Sequence, residues 1–480
     1  MKKNSIIISL LASAVILASC DKAIQEQGPE GVEPDGQEQV EQQPQPEDPQ
    51  LQEESEDPQS EDPQQQEEPQ PQAGDGQDDV TYSFDDDSEY KFLTEGVPSA
   101  MPASAAGQVK SVNDFAFSLL QKIDASKGND SYVFSPVSLT YLLGMLIQGA
   151  GGQTRDELCE ALGFSGLGAE GVNEFCRNLI VLSSSAAKSG EELSLSNIVI
   201  VDKGTTVLEG FRKAVKNYYD APTVSLDFTQ SDYVIGYVNA WANEKTNGRI
   251  KQVLSDLPPG TRSLIMNALF FSAAWTSGFN ESATKSASFT GADGKVRDEM
   301  MMHKKDAFVP VLYAEDQECS AVCLPYGKDE VDGNYEMYIM LPAKGVDIRK
   351  TAGRTADEWN ALFAKMEKRT VDLVVPKFNI DFRENLTSIL ESIGIKAAFD
   401  SQNADFSNMA QELLYVERII QLANITVDEK GTEAAAVSTA IMDIASGEVP
   451  EFIPFHADRP FLFAIREKTT GAILFLGSYR

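Results

Sequence analysis

The sequence is poor in the groups on which most enzymes rely. Its 480 residues include two histidines, His303 and His456, so imidazole acid–base chemistry has only two places to reside. There is no G-x-S-x-G elbow, no H-E-x-x-H pair and no G-x-x-x-x-G-K-[ST] loop, which removes the usual serine hydrolase, zinc peptidase and nucleotide-binding readings. His303 follows Met300-Met301-Met302 in what reads as a charged turn, and His456 lies in Phe455-His456-Ala457-Asp458. Carboxylate pairs are too frequent to single out, and a solvated surface is their default. Basic charge is short as well: 40 Lys and Arg stand against 74 Asp and Glu, for a net charge of −34. Without a clustered cationic face there is nothing to hold a phosphate backbone, so nucleic acid is excluded as a partner. No metal and no cofactor is implied.

Long apolar runs are also scarce. The run from Ile6 to Leu17 follows Lys2 and Lys3 and ends in Leu17-Ala18-Ser19-Cys20. It is too short to span a bilayer comfortably, and the small residues before Cys20 suit a signal peptidase. The pattern resembles the lipobox of bacterial lipoproteins, in which the cysteine becomes the lipidated first residue of the mature chain. Residues 1–20 are therefore expected to be a lipoprotein signal peptide, with Cys20 acylated and the polypeptide held in water beside the membrane. A plain secretory signal with an incidental cysteine is the simpler alternative. Export permits disulfides among Cys159, Cys176, Cys319 and Cys323. Cys319 and Cys323 fall on one strand-like stretch about 13 Å apart and could not bridge each other. Four buried free thiols are the expected state.

Residues 21–108 lack the apolar content of a core. Between Asp21 and Lys110 about 25 acidic residues stand against about three lysines, among repeats such as Glu47-Asp48-Pro49-Gln50, Glu56-Asp57-Pro58-Gln59 and Glu61-Asp62-Pro63-Gln64. Such a composition cannot offset the entropy of ordering the chain, and like charges extend it. It reads as a disordered acidic tether. Asp85 to Asp87 lack the spaced oxygens and turn glycine of a calcium loop, so they read as a solvated charge run.

From about Lys110 the pattern is globular, and residues 109–480 read as one domain. Helical periodicity marks Ser111 to Ala125, Pro136 to Gly149 behind the cap of Ser135, Thr154 to Leu162, and Tyr233 to Thr246, which Gly248 stops. Strand-like runs occupy Leu193 to Val201, Ser263 to Phe271, Tyr335 to Leu341 and Thr370 to Phe378. Helices and long strands mix without regular alternation, an α+β pattern.

The most distinctive segment runs from Val427-Asp428-Glu429-Lys430-Gly431-Thr432-Glu433 through Ala434-Ala435-Ala436-Val437-Ser438-Thr439-Ala440. On propensity alone its alanines suit a helix. With a period of two, Thr432, Ala434, Ala436 and Ser438 share one face, and that face is uniformly small. A strand of this kind could enter between two existing strands above a packed core, since it brings nothing bulky or charged inward and no proline interrupts its donors.

Here the sequence resembles the serpin family. Glu429 to Ala436 is similar to the serpin hinge, with Glu429, Gly431, Thr432, Ala434 and Ala436 as its members. Further signatures follow in the family's order over about Lys110 to Arg480: Phe134-Ser135-Pro136-Val137-Ser138, Tyr237-Val238-Asn239-Ala240-Trp241 through Ile250, Asn267-Ala268-Leu269-Phe270-Phe271 to Trp275, Leu414-Tyr415-Val416, and Phe455 to Phe463. The resemblance implies a serpin fold of three β-sheets with eight to nine helices, an exposed reactive-centre loop, and a five-stranded central sheet held in a metastable state. It implies no enzyme but a suicide-type inhibitor, a monomer whose cleaved loop inserts into that sheet and traps the protease as a covalent acyl-enzyme. The family spacing puts the cut near Ala445-Ser446; a loop about four residues longer than usual leaves Ile444, Met442 and Val449 as alternatives. A small residue there implies elastase-like serine proteases as partners, with papain-like cysteine proteases as a second class.

The sheet-opening region maps to Ser135, Ser138, Asn267, Trp275 and Gln421. Many members have a histidine where this chain has Gln421, so a polar network is expected to persist without a titratable member, and sheet opening to be less acid-sensitive. A bacterial envelope, with the domain outside the outer membrane at the end of its tether, is the expected location. A non-inhibitory serpin acting as a binding module and an envelope hydrolase are the competing readings. The first would normally show bulky or charged hinge residues, and the second has only its two histidines.

Overall fold

The computed structural model describes residues 9–19, 82–84, 89–186, 191–307, 309–328, 333–432 and 451–480. Along the chain come β1 (Ser9–Ser19), α1 (Ala106–Lys127), β2 (Tyr132–Phe134), α2 (Pro136–Gly149), α3 (Gly152–Ala161), α4 (Gly168–Ala186) and β3 (Glu191–Asp202). Then follow α5 (Glu209–Tyr219), β4 (Thr223–Leu226), α6 (Ser231–Lys245), β5 (Thr261–Ala274), β6 (Lys285–Thr290), β7 (Val296–Lys305), β8 (Val311–Glu315), β9 (Cys319–Pro325) and β10 (Tyr335–Pro342). The remainder is α7 (Ile348–Ala352), α8 (Ala356–Phe363), β11 (Glu367–Arg369), β12 (Val371–Pro376), β13 (Phe378–Asn385), α9 (Thr387–Ser392), β14 (Leu414–Val427), β15 (Gly431–Thr432), β16 (Ile453–His456), β17 (Phe461–Glu467) and β18 (Ile473–Tyr479).

The strands form three sheets. The central one has the order β13-β14-β1-β5-β3-β4, with β15 added to β5; the second is β11-β8-β9-β10-β17-β18-β2, and the third β16-β12-β7-β6. Beneath the central sheet lies α2. Ser135 caps it by accepting from the Ser138 backbone N–H at 3.1 Å, and Pro136 sits in the first turn, where its missing N–H costs nothing. All of α2 is buried, as expected of a helix apolar on every side.

Most expected elements are present with longer ends: α1 starts at Ala106 and β5 runs on to Ala274. Thr370 to Phe378, read as one strand, divides at Lys377 into β12 and β13, whose partners belong to different sheets. His303 lies within β7 rather than in a turn, because Met301 to Lys305 pair with β12.

The central sheet departs from the five-stranded expectation. Residues Ser9–Ser19, the apolar core of the expected leader, form a strand antiparallel to both neighbours, from Ser9 opposite Phe271 to Ala18 opposite Thr261 on β5, and from Leu10 opposite Asn424 to Ser19 opposite Leu414 on β14. Two adjacent strand edges above an apolar core would otherwise leave rows of donors and acceptors unpaired. An eleven-residue apolar segment without proline satisfies both. Among the described residues no helix is long and apolar enough to cross a membrane.

Candidate functional site: the hinge and the central slot

The hinge is built where β14 ends. Asp428 turns the chain: its backbone N–H donates to Gly431 O at 3.0 Å and its carboxylate accepts from Lys430 N at 2.8 Å. Gly431 has φ +152°, and a Cβ there would lie 2.1 Å from Ala273 O, so only glycine brings the chain back against β5. Trp275 closes the corner. Its Nε1 donates to Asp428 O at 2.9 Å, its backbone N–H to Lys430 O at 2.8 Å, and its ring stacks on Tyr326 with centroids 4.4 Å apart.

Two hinge side chains are buried with partners the sequence did not reveal. Thr432 is fully buried, its hydroxyl 2.6 Å from that of Tyr326. Glu429 pairs with Lys377 Nζ at 2.7 Å and accepts from Thr284 at 2.8 Å. Burial pushes the Glu429 carboxyl up, but these partners outweigh it and leave it below the ordinary glutamate range. Lys377, Thr284 and Tyr326 come from three separate strand ends, and no local motif marks them.

The register of the hinge points down the sheet. Gly431 pairs with Ala274 and Thr432 with Ala273. Continued residue by residue, that pairing puts position 434 opposite Phe271, where β1 begins with Ser9, and position 438 opposite Asn267, where β1 has Ser13. Thr432 thus shares the face of Ala273, Phe271, Leu269 and Ile265, all part of the apolar core. The slot between β5 and β14 lies in direct continuation of the hinge.

Under the slot the polar residues group differently from the expected network. Gln421 donates from Nε2 to Ser135 O at 2.9 Å and accepts from Ser135 N at 3.4 Å, so it holds the main chain before α2 rather than the serine hydroxyls. Asn267 donates to Asn197 Oδ1 at 2.7 Å. Among the described residues, Asn267 Oδ1 and Ser138 Oγ are buried without a partner. Asn197 has no signal in the sequence beyond its place in an apolar strand.

Elsewhere the chemistry is restrained. The two histidines meet at Asp372, with His303 Nε2 2.7 Å and His456 Nε2 3.7 Å from its carboxylate. Among the described residues neither imidazole bonds a hydroxyl or thiol. Cys159, Cys176, Cys319 and Cys323 are free and buried; burial pushes Cys176 and Cys319 up to about 12, so those thiols stay protonated and inert. Among the described residues no group of His, Cys, Asp and Glu could hold a metal ion. Ala434, Ala436, Met442, Ile444, Ala445, Ser446, Val449, Cys20 and Asp85 to Asp87 lie outside the described residues.

A family model described as "Serpin (serine protease inhibitor)" matches residues 110–480. Among curated proteins, Serpin-ZXA of Oryza sativa subsp. japonica is 34% identical over 72% of this chain and 88% of its own length, and Iripin-3 of Ixodes ricinus 32% identical over 76% and 92%. Among solved structures, human thyroxine-binding globulin superposes with a TM-score of 0.68 at 28% identity, covering 78% of this chain and 98% of that one.

Proposed function

Because the chain belongs to the serpin family, a family of serine protease inhibitors, we propose that it is a single-use inhibitor whose own loop, once cut, becomes a strand of the central sheet. The observation that carries this reading is the register: Gly431 and Thr432 already pair with the end of β5, and the next positions along β5 are those of the slot. The target's serine hydroxyl attacks the carbonyl of Ala445, the bond to Ser446 breaks, the new amine leaves with a proton, and an ester joins inhibitor to protease. The freed strand then runs down the slot with Thr432, Ala434, Ala436, Ser438 and Ala440 toward the core, carrying the enzyme with it. Small inward side chains fit a packed interior. The elastase-like target class rests on alanine at the expected cut.

The proposal includes the lipoprotein reading. Cleavage before Cys20 removes Ser9–Ser19 from the slot and leaves it to the loop, while acylated Cys20 and the acidic tether hold the domain beyond the outer membrane of a bacterial envelope. The mature chain, mixed with pancreatic elastase, should yield a complex that survives boiling in detergent. Loop cleavage without such a complex would refute inhibition and leave a binding module or a simple substrate.

A further inference from the structure

A cavity of about 230 Å³ opens between strands β13 and β14 and the connection that leads from α6 to β5. Its lining holds three cations, Arg249, Lys251 and Arg383, against one carboxylate, Asp381. Asp381 is itself engaged, accepting from Asn424 Nδ2. Among the described residues Lys251 and Arg383 form no ion pair. A basic hollow in a chain of net charge −34 is a local reversal of sign, and concave walls concentrate its field.

The two walls belong to different parts of the fold. Arg249 and Lys251 lie on a connection braced to α6: Thr246 Oγ1 accepts from Ile250 N at 3.1 Å, and Asn239 Oδ1 accepts from Val253 N at 2.7 Å and Leu254 N at 2.9 Å. On the other wall, Arg383 and Asp381 of β13 pair with Leu422 and Asn424 of β14. Arg383 Nη2 reaches across to Val253 O at 3.3 Å. Leu422 and Asn424 stand in the rows of Ala12 and Leu10 of β1, which lie opposite Ala268 and Phe270 of β5. The strand in the slot therefore sets the spacing between the walls. Were the slot empty, β5 and β14 would present unpaired edges and close by about 4.8 Å, moving Arg383 relative to Lys251 by as much.

Three cations around so small a space call for more than one negative charge. A phosphate monoester is dianionic near neutral pH and has three terminal oxygens; guanidinium forks grip such a head with paired hydrogen bonds, and an ammonium adds a point charge. The volume equals that of about eight waters, room for the head and part of a sugar that bears it. We propose that this cavity binds a phosphate group, free or carried by a sugar, and that the site is whole only while a strand fills the slot. Occupancy after loop cleavage rests on the insertion reading above, whereas binding itself does not. By linkage, bound phosphate favours the filled sheet as much as the filled sheet favours phosphate.

The test is calorimetric titration at about pH 7.5 and fixed ionic strength with glucose 6-phosphate, inorganic phosphate and the singly charged glucose 6-sulfate. Three forms are compared: the chain retaining residues 1–19, the mature uncut chain, and the mature chain nicked near Ala445. The chain retaining residues 1–19 should bind glucose 6-phosphate saturably with a Kd on the order of 1 mM, and glucose 6-sulfate roughly tenfold more weakly. Lys251→Gln and Arg383→Gln, both at exposed positions, should each weaken binding roughly tenfold while leaving the melting temperature within about 2 °C. Tighter binding of the sugar phosphate than of inorganic phosphate would assign the site to a phosphorylated sugar, equal binding to free phosphate, and both support it. No saturable binding, or full affinity in both variants, would overturn the site. The nicked chain should match the chain retaining residues 1–19, and the uncut mature chain should bind roughly tenfold more weakly. Equal affinity in all three forms would overturn the dependence on a filled slot. A nicked chain as weak as the uncut one would instead sink the insertion reading and leave the phosphate site standing.

Discussion

At the scale of single residues, loop insertion depends on which side chains can face inward. Thr432 is fully buried against Tyr326 with its hydroxyl satisfied. Thr432→Arg would place an unpaired cation there, a cost of several kcal/mol, and should turn the inhibitor into a substrate. The ratio of cleaved chain to covalent complex on a gel is the measurement; a ratio unchanged from the native protein would count against the hinge. Glu429 gives a pH-dependent counterpart. Its carboxyl is held below the ordinary range by Lys377 and Thr284, so its contribution is complete above about pH 5 and lost as pH falls through the lowered value. Glu429→Gln should destabilise the uncut protein by about 1 kcal/mol at pH 7, since Lys377 is partly exposed, and by less as pH falls through the acidic range. Urea melts at pH 7 and at acidic pH check the sign. Gly431, Thr432, Glu429 and Trp275 stand in segments that resemble family signatures, and Gln421 stands out as a departure from the family pattern. Tyr326, Lys377, Thr284 and Asn197 were not, because their roles exist only when distant strand ends meet.

At the scale of elements, periodicity located α1, α2, α6 and the long strands β3, β5 and β10 well. It failed where pairing, not pattern, decides. β12 and β13 are continuous in sequence yet belong to different sheets, and the β7 segment at His303 reads as a turn from its charges although it pairs with β12. β1 is the most informative case. The same apolar, proline-free composition that serves an export leader also serves as a central strand, and it lies in the register begun by the hinge. A chain that keeps residues 1–19 should therefore be unable to trap elastase, whereas one beginning at Cys20 traps it. Equal complex yields from the two would show that β1 does not compete with the loop.

At the scale of the whole molecule, β1 lies between β5 and β14, and the cut loop is proposed to take the same place. On the proposed reading, removal of residues 1–19 would leave β5 and β14 to gain a partner only when the loop is cut, and each new backbone hydrogen bond would contribute about 1 kcal/mol. The cleaved form must then be much more stable than the intact one. The direct measurement is calorimetry of the mature chain before and after a single nick near Ala445. A melting temperature more than about 10 °C higher after the nick is the predicted result; an unchanged or lower one would contradict loop insertion as the source of inhibition.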